Sequence, residues 1–346
     1  MTPALSILDL APVGARTGGA VAVRNTVALA RRAEALGYVR YWVAEHHNIQ
    51  GIASAATEVL IAAIASATSR LRVGAGGVMI PNHAPLHVVE RFRTLEALFP
   101  GRIDLGIGRA PGTDPLTSSA LHRRLSSPED VNAQIAELLA FENGTFPEDH
   151  PYRAITPIPS DVRLPPLWML GSTDAGARIA AALGIRYAFA GHFNLGHAIP
   201  AIRLYLSRFE PSDDLAAPEA LLAVSGICGE TDEHARELAA VSGLAHLRIT
   251  QGVSLPLPSV EEAHAYPYTA AERAQVEQFL AGQVFGSPER VRDRLEELSA
   301  RTGATELMMT TMLPDYEERL RSYERLAAVA GLRQGAASTT SDGLPL

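Results

Sequence analysis

Glu45-His46-His47 sets one carboxylate beside two imidazoles directly after the strand-like run Tyr41-Trp-Val-Ala. An imidazole titrates near neutrality and can move a proton, and an adjacent carboxylate can fix its tautomer. Alternation past a strand sends Glu45 and His47 to one side and His46 to the other. Rim histidines bonded to loops are the plainer reading of the same three residues. Val73-Gly-Ala-Gly-Gly-Val brings Gly76 and Gly77 to a strand end, where backbone can approach a flat ring or form a simple bulge. Arg109 carries a planar fork suited to phosphate or a carboxylate, and Asp104 or Asp114 could equally take it. Its glycines, Gly106, Gly108 and Gly112, do not spell G-x-G-x-x-G. Gly171-Ser172 precede a helical segment, where free amides and the helix dipole attract anions, although Ser172 or Thr173 could simply cap. His192-Phe193 either borders a substrate or packs the rim. His83 and His87 are four apart, but Pro85 lies between them and no H-E-x-x-H occurs, so no metal site is expected.

These groups converge only if the fold brings them to one rim. Apolar runs alternate with segments of helical period, the pattern of βα units on a parallel sheet. The runs begin at Leu5, Tyr41, Leu71, Ile103, Leu167, Tyr187, Leu221 and Leu307. Helices are expected at Ala20–Leu36 (stopped by Gly37), Ala55–Thr68 (capped by Ser54), Pro85–Leu98, Pro128–Phe141, Asp174–Leu183, His197–Phe209, Asp232–Val241 and Tyr316–Ala330. With no composition break, this predicts an α/β chain with a single (β/α)8 TIM barrel over residues 1–331. The candidate groups would then share its C-terminal mouth. Residues 142–166 read as an insertion and Ile249–Ala271 as a lid loop at that mouth. The small, polar residues 332–346 are expected to be disordered.

Composition narrows the partners. A net charge of −8, with every one of the 30 basic residues an arginine, argues against nucleic acid. No run approaches the roughly 20 apolar residues of a membrane span. The start of the chain lacks a signal-peptide pattern, and a lone Cys228 fits a reducing cytoplasm.

The stretches Leu5–Pro12, Tyr41–Asn48, Ile52–Thr57, Arg72–Pro85, Pro100–Asp114, Leu170–Ser172 and Tyr187–Phe193 resemble the bacterial luciferase-like flavin monooxygenases. The branch resembled carries LSxLDLAP, and WVAEHHN, GGVMIPNHAPL and PGRIDLGIGRAPGTD carry most of the likeness. The resemblance implies FMN at the barrel mouth, with a non-proline cis peptide at Gly76–Gly77 beneath its ring. It implies Arg109 near the phosphate and ribityl chain, and a phosphate turn at Gly171 and Ser172. Ala175 stands at that turn's later threonine position, which leaves amides around Gly176 to substitute. Glu45 matches a buried acid beneath the flavin, and His46 matches the catalytic base. Gly108 stands where luciferase has a cysteine beside the flavin C4a carbon, leaving space for oxygen or a bulkier substrate, so aldehyde luminescence is not expected. His83, His192 and Phe193 are the candidate substrate-facing residues.

The implied chemistry is reaction of reduced FMN with O2 to a C4a-(hydro)peroxide. Oxygen then passes to a small organic substrate by hydroxylation or Baeyer–Villiger insertion, as in secondary metabolism such as polyketide tailoring. No nicotinamide-binding unit is visible, so a separate flavin reductase would supply the reduced FMN. An F420-dependent hydride-transfer enzyme on the same barrel and a non-catalytic flavin-binding protein are the rivals. A homodimer is expected through outer helices, including Ala55–Thr68.

Overall fold

Strands buried on both faces need helices outside them and filler within. A computed structural model describes residues 3–121 and 127–332; residues 333–346, nearly all of the tail expected to be disordered, lie outside the described residues. In chain order the elements are β1 (Ala4–Asp9), α1 (Gly18–Leu36), β2 (Arg40–Val43), α2 (Thr57–Ala67), β3 (Arg72–Met79), α3 (Pro85–Leu98), β4 (Ile103–Gly108), α4 (Pro115–Ala120), α5 (Pro128–Asn143) and β5 (Leu167–Gly171). Then come α6 (Asp174–Ala182), β6 (Arg186–Ala190), α7 (Gly191–Asn194), α8 (Ala198–Arg208), β7 (Ala220–Cys228), α9 (Asp232–Thr250), α10 (Val260–Ala265) and α11 (Ala270–Ala281). The chain closes with β8 (Val284–Gly286), α12 (Pro288–Thr302), β9 (Glu306–Thr310) and α13 (Tyr316–Val329). The sheet runs β6-β5-β4-β3-β2-β1-β9-β7, and pairing of β6 with β7 closes it into a (β/α)8 barrel of parallel strands.

β8 is an addition to the eight expected strands. It pairs with the far end of β7 through Gly226–Val284 and Cys228–Gly286, outside the closed ring. Three residues are too few to show a period in sequence. Two other local expectations also shift. Ser54 does not cap α2, which starts at Thr57 behind Ala56 with no side-chain cap. The expected lid is not a bare loop: α9 runs on to Thr250, and α10 lies within 249–271, with α11 starting at its end. The loop between α10 and α9 is tied to the mouth by Leu257 N to Val13 O (2.8 Å) and Gln50 N to Ser254 Oγ (3.2 Å). The 142–166 insertion is pinned by Arg93 of α3, 5% exposed, which bonds Glu142 Oε2 (2.7 Å) and the Pro157 carbonyl (3.1 Å).

The barrel interior is filled in layers, because only alternate residues of each strand point inward. At its N-terminal end Arg40 lies between Asp104 and Glu306, with a 2.8 Å contact to Glu306. Arg72 joins Asp104 at 2.6 Å, and Ser6 Oγ bonds Glu306 at 2.5 Å. Above this ionic floor sit Trp42 and Trp168, edge to face at 5.4 Å, with Leu8, Leu221 and Met308. The next inward rung is small: Ala44, Gly76, Gly108 and Ala190. A cavity therefore opens there.

Burial would raise the Asp104 carboxyl, but Arg40 and Arg72 outweigh it and hold it below its ordinary value. Asp104→Ala would strand two guanidinium groups in the floor. The expected loss is about 3–5 kcal/mol of stability, read by urea denaturation; a loss below about 1 kcal/mol would mean the cluster is solvated instead of sealed.

Candidate active site

The cavity at the C-terminal mouth has a volume of about 190 Å³. Of the residues singled out in sequence, His46, Gly76, Gly108, Arg109, Gly171, Ser172, His192 and Phe193 line it. Glu45, Gly77, Gly176 and His83 do not, and stand one layer behind. Thr173, named above as a possible cap, also lines the wall, as do the apolar Met79, Leu8 and Leu10, which were not singled out. Nothing in a single sequence separates such apolar wall residues from ordinary core.

Glu45 is almost fully buried and accepts four hydrogen bonds. His47 Nε2 (3.0 Å) and Asn82 Nδ2 (2.8 Å) reach Oε1, while His83 Nε2 (2.9 Å) and Met79 N (2.8 Å) reach Oε2. The side chains of Glu45 and His47 thus turn together, away from the cavity that His46 borders. His83 serves this carboxylate and does not border the cavity. Asn82 also donates to the Pro111 carbonyl (3.0 Å), and Thr113 Oγ1 donates to His47 O (2.9 Å). The carboxylate thereby fastens the ends of β2 and β3 to each other, and Asn82 and Thr113 carry the link to the β4 exit. Burial would raise its carboxyl, but the bonds from His83, Asn82 and Met79 prevail and lower it.

His46 is fixed through its backbone, whose N–H donates to Ser54 O (3.0 Å). Its Nδ1 is buried without a hydrogen-bond partner. Burial lowers its proton affinity, and the neighbouring Glu45 charge opposes that without reversing it. His192 also has a buried, unpartnered Nδ1, and burial brings its pKa down to about 4. Its ring lies 4.2 Å from that of Phe193, which is 71% exposed.

The Gly76–Gly77 peptide is cis, and β3 shifts register against β4 between Ala75 and Val78. A bulge and a backbone wall are thus the same feature here. A methyl group on Gly76 would sit 2.9 Å from both Leu8 Cδ1 and Trp42 Cε3, so no side chain fits at that level. At Gly108 an added Cβ would meet Met79 Sδ at 2.8 Å. The space expected there for oxygen or substrate is held by a thioether.

Arg109 has a buried Nε without a partner. Neither acid weighed as its partner takes it: Asp104 belongs to the floor, and Asp114 bonds Asn48 Nδ2 (3.0 Å) and the Thr117 amide (3.0 Å). Facing the same cavity, Gly171 and Ser172 lead into α6, whose N-cap Thr173 makes no side-chain cap bond. Tyr187 Oη donates to Thr173 O (3.1 Å) from below and steadies the turn. Gly176 packs against Gly171, an added Cβ meeting the Gly171 Cα at 3.4 Å. Among the described residues, no group of three or more His, Cys, Asp or Glu is disposed to hold a metal ion. No helix among them is long and apolar enough to cross a membrane.

A parallel (β/α)8 barrel whose C-terminal mouth opens on a cavity lined by an arginine and histidines with unpartnered nitrogens has the architecture of an enzyme. The chain belongs to the luciferase-like monooxygenase family, whose family model matches residues 4–306. It is a flavin-dependent monooxygenase by that membership. It is similar to a luciferase-like monooxygenase of Escherichia coli K12, 39% identical, with 93% of this chain and 96% of the relative covered. It is 33% identical to the N-acetyl-S-alkylcysteine monooxygenase of Bacillus subtilis, over 93% of this chain and 97% of that one. Among solved structures, apo-MsnO8 superposes with a TM-score of 0.86 at 38% identity, covering 96% of this chain and 99% of that one. The fold alone is shared with an FMN complex of a type II Baeyer–Villiger monooxygenase at 17% identity (TM-score 0.68). It is shared equally with an F420-dependent secondary alcohol dehydrogenase at 15% (TM-score 0.67).

Glu45→Gln replaces half of the acceptor capacity with a donor facing other donors. We expect about 1–3 kcal/mol of destabilisation in thermal or urea unfolding. The pH dependence should change too. A depressed carboxyl contributes fully above its unfolded value, about 4.3, and that contribution fades as pH falls through the lower folded value. The variant should lose stability less steeply in that acid window. An equal slope would mean that Glu45 is not charged in the fold.

Proposed function

We propose that this cavity binds reduced FMN and that the enzyme uses O2 to place one oxygen atom on a small organic substrate. The observation carrying the reading is Arg109, whose buried Nε lacks a partner beside the uncapped turn at Gly171–Thr173. A guanidinium fork and free amides at a helix start suit a phosphate monoester. Above the tryptophan layer, the bare backbone at Gly76 with Leu8, Leu10 and Met79 offers a flat, apolar seat for a ring.

When bound, the reduced flavin supplies the electrons that activate O2. The chain's own groups do the rest. Arg109 and the amides of Gly171–Thr173 hold the phosphate. His46 gives or takes a proton at the ring edge, its neutral form favoured by burial. His192 and Phe193 border the organic substrate. The 249–271 segment, with α10, shields the β1 side of the mouth from water. Reduced FMN arrives from a separate reductase, a division of labour that fits a reducing cytoplasm. Two copies pair through α2, whose outer face at Val59, 68% exposed, and Ala63 is uncharged.

Two measurements test this reading. Pre-reduced FMN under labelled O2 should give labelled product without NADH. Tight binding of F420 with anaerobic hydride transfer would overturn it. Arg109→Ala should weaken FMN binding roughly 10- to 100-fold by fluorescence titration, the range for charge-assisted bonds. Unchanged affinity would remove the arginine from the phosphate site.

A further inference from the structure

Six methionines occur in the chain, and the five among the described residues differ in setting. Met169, Met308 and Met309 are buried in the barrel. Met312 is half-buried against the apolar cluster that holds Leu313 and Ile227, and does not line the mouth cavity. Among the described residues, Met79 alone brings a thioether to that cavity's wall. Its backbone is fixed, because its N–H donates to Glu45 Oε2 (2.8 Å). Its side chain lies over two glycines. A Cβ added to Gly108 would meet Met79 Sδ at 2.8 Å, and one added to Gly112 would meet its Cγ at 3.0 Å. The sulfur thus has glycine backbone on one side and the cavity on the other.

A thioether is polarizable and nucleophilic, and hydrogen peroxide converts it to the sulfoxide. An oxygenase makes that oxidant whenever O2 takes two electrons and two protons without passing oxygen to a substrate. We propose that Met79 is a peroxide-sensitive switch, oxidised to the sulfoxide ahead of the other described methionines and closing the cavity to its ligand. The sulfur lone pair attacks one peroxide oxygen, so that an S–O bond forms and the O–O bond breaks. The second oxygen leaves with both protons as water. Sulfur gives up two electrons and the peroxide takes them. Along the same wall Arg109 keeps an Nε–H without a partner, a donor for the departing oxygen, whereas Met312 lies among apolar side chains. The product changes the cavity. An oxygen turned toward Gly108 would be as crowded as the missing Cβ, so it turns inward. There it sets a strong acceptor in an apolar seat and offers the Arg109 Nε–H a partner within the protein.

The source of the peroxide rests on the monooxygenase reading, but the reactivity of Met79 does not and is tested without flavin. Intact protein is exposed to dilute hydrogen peroxide, and peptide mass spectrometry follows oxygen addition at each methionine. Met79 should gain one oxygen first, while Met169, Met308 and Met309 stay unmodified as long as the fold persists. Met79→Leu should lose that early addition, and Met312→Leu should keep it. FMN at about ten times its dissociation constant should slow the Met79 step roughly tenfold. Protein oxidised beforehand should bind FMN more weakly, and methionine sulfoxide reductase should restore the affinity. If untreated protein binds no FMN, or FMN does not protect Met79, the flavin reading fails and the peroxide site stands. Oxidation of Met312 or of a buried methionine ahead of Met79, or oxidised protein that binds FMN as tightly as before, overturns the proposal.

Discussion

A strand in a closed barrel offers its interior only every second side chain, and β2 shows what that rule forces. Arg40, Trp42, Ala44 and His46 climb one inner face in steps of two. The buried charge at the bottom must be matched, so Asp104 and Glu306 flank it, and Arg72 in turn pairs with Asp104. The indole above seals that cluster from the mouth. The alanine then leaves room, and the histidine ends at the edge of the room. Position, size and polarity of the site all follow from that single ladder and its counterparts on β3, β4 and β6.

Polar satisfaction divides the same region into frame and workplace. Glu45 has four donors and no unused capacity, which makes it a fastener between the β2 and β3 exits. Arg109, His46 and His192 each keep a buried nitrogen without a partner. Buried polar atoms left open cost stability, so natural folds keep few of them without a reason. Here they face one cavity, in a chain of the luciferase-like monooxygenase family. The frame is what lets the open atoms stay where they are.

The barrel was legible because its strands are apolar, short and separated by helix-length segments. The small rung at Gly76 and Gly108 was legible because glycine is conspicuous. Glu45 was the harder case. Its type and place were evident, but its partners His83, Asn82 and Met79 come from the next strand's exit, and no spacing rule links them. His83 accordingly read as a group facing ligand when it faces the carboxylate. Arg109 was ambiguous between cofactor and local acids, and only the floor network and the Asn48–Asp114 contact removed the acids. Helix α9 extends past Val241 to Thr250, and at Gly243 it admits the close approach of Val276 from α11, a tertiary contact with no local signature. β8 exists only because β7 overshoots the ring and offers it an edge.

The excursion between α9 and α11 is joined to the β1 and β2 exits through Leu257 and Ser254, as well as to helices at either end. To swing as one piece, a strip fastened in its middle would have to break both of those bonds. The left-handed Gly252 marks the turn by which the chain leaves α9 for this strip. Between that turn and the two fixed points only short stretches of backbone are left unfastened, so the strip is laid along the barrel exits at several places along its length.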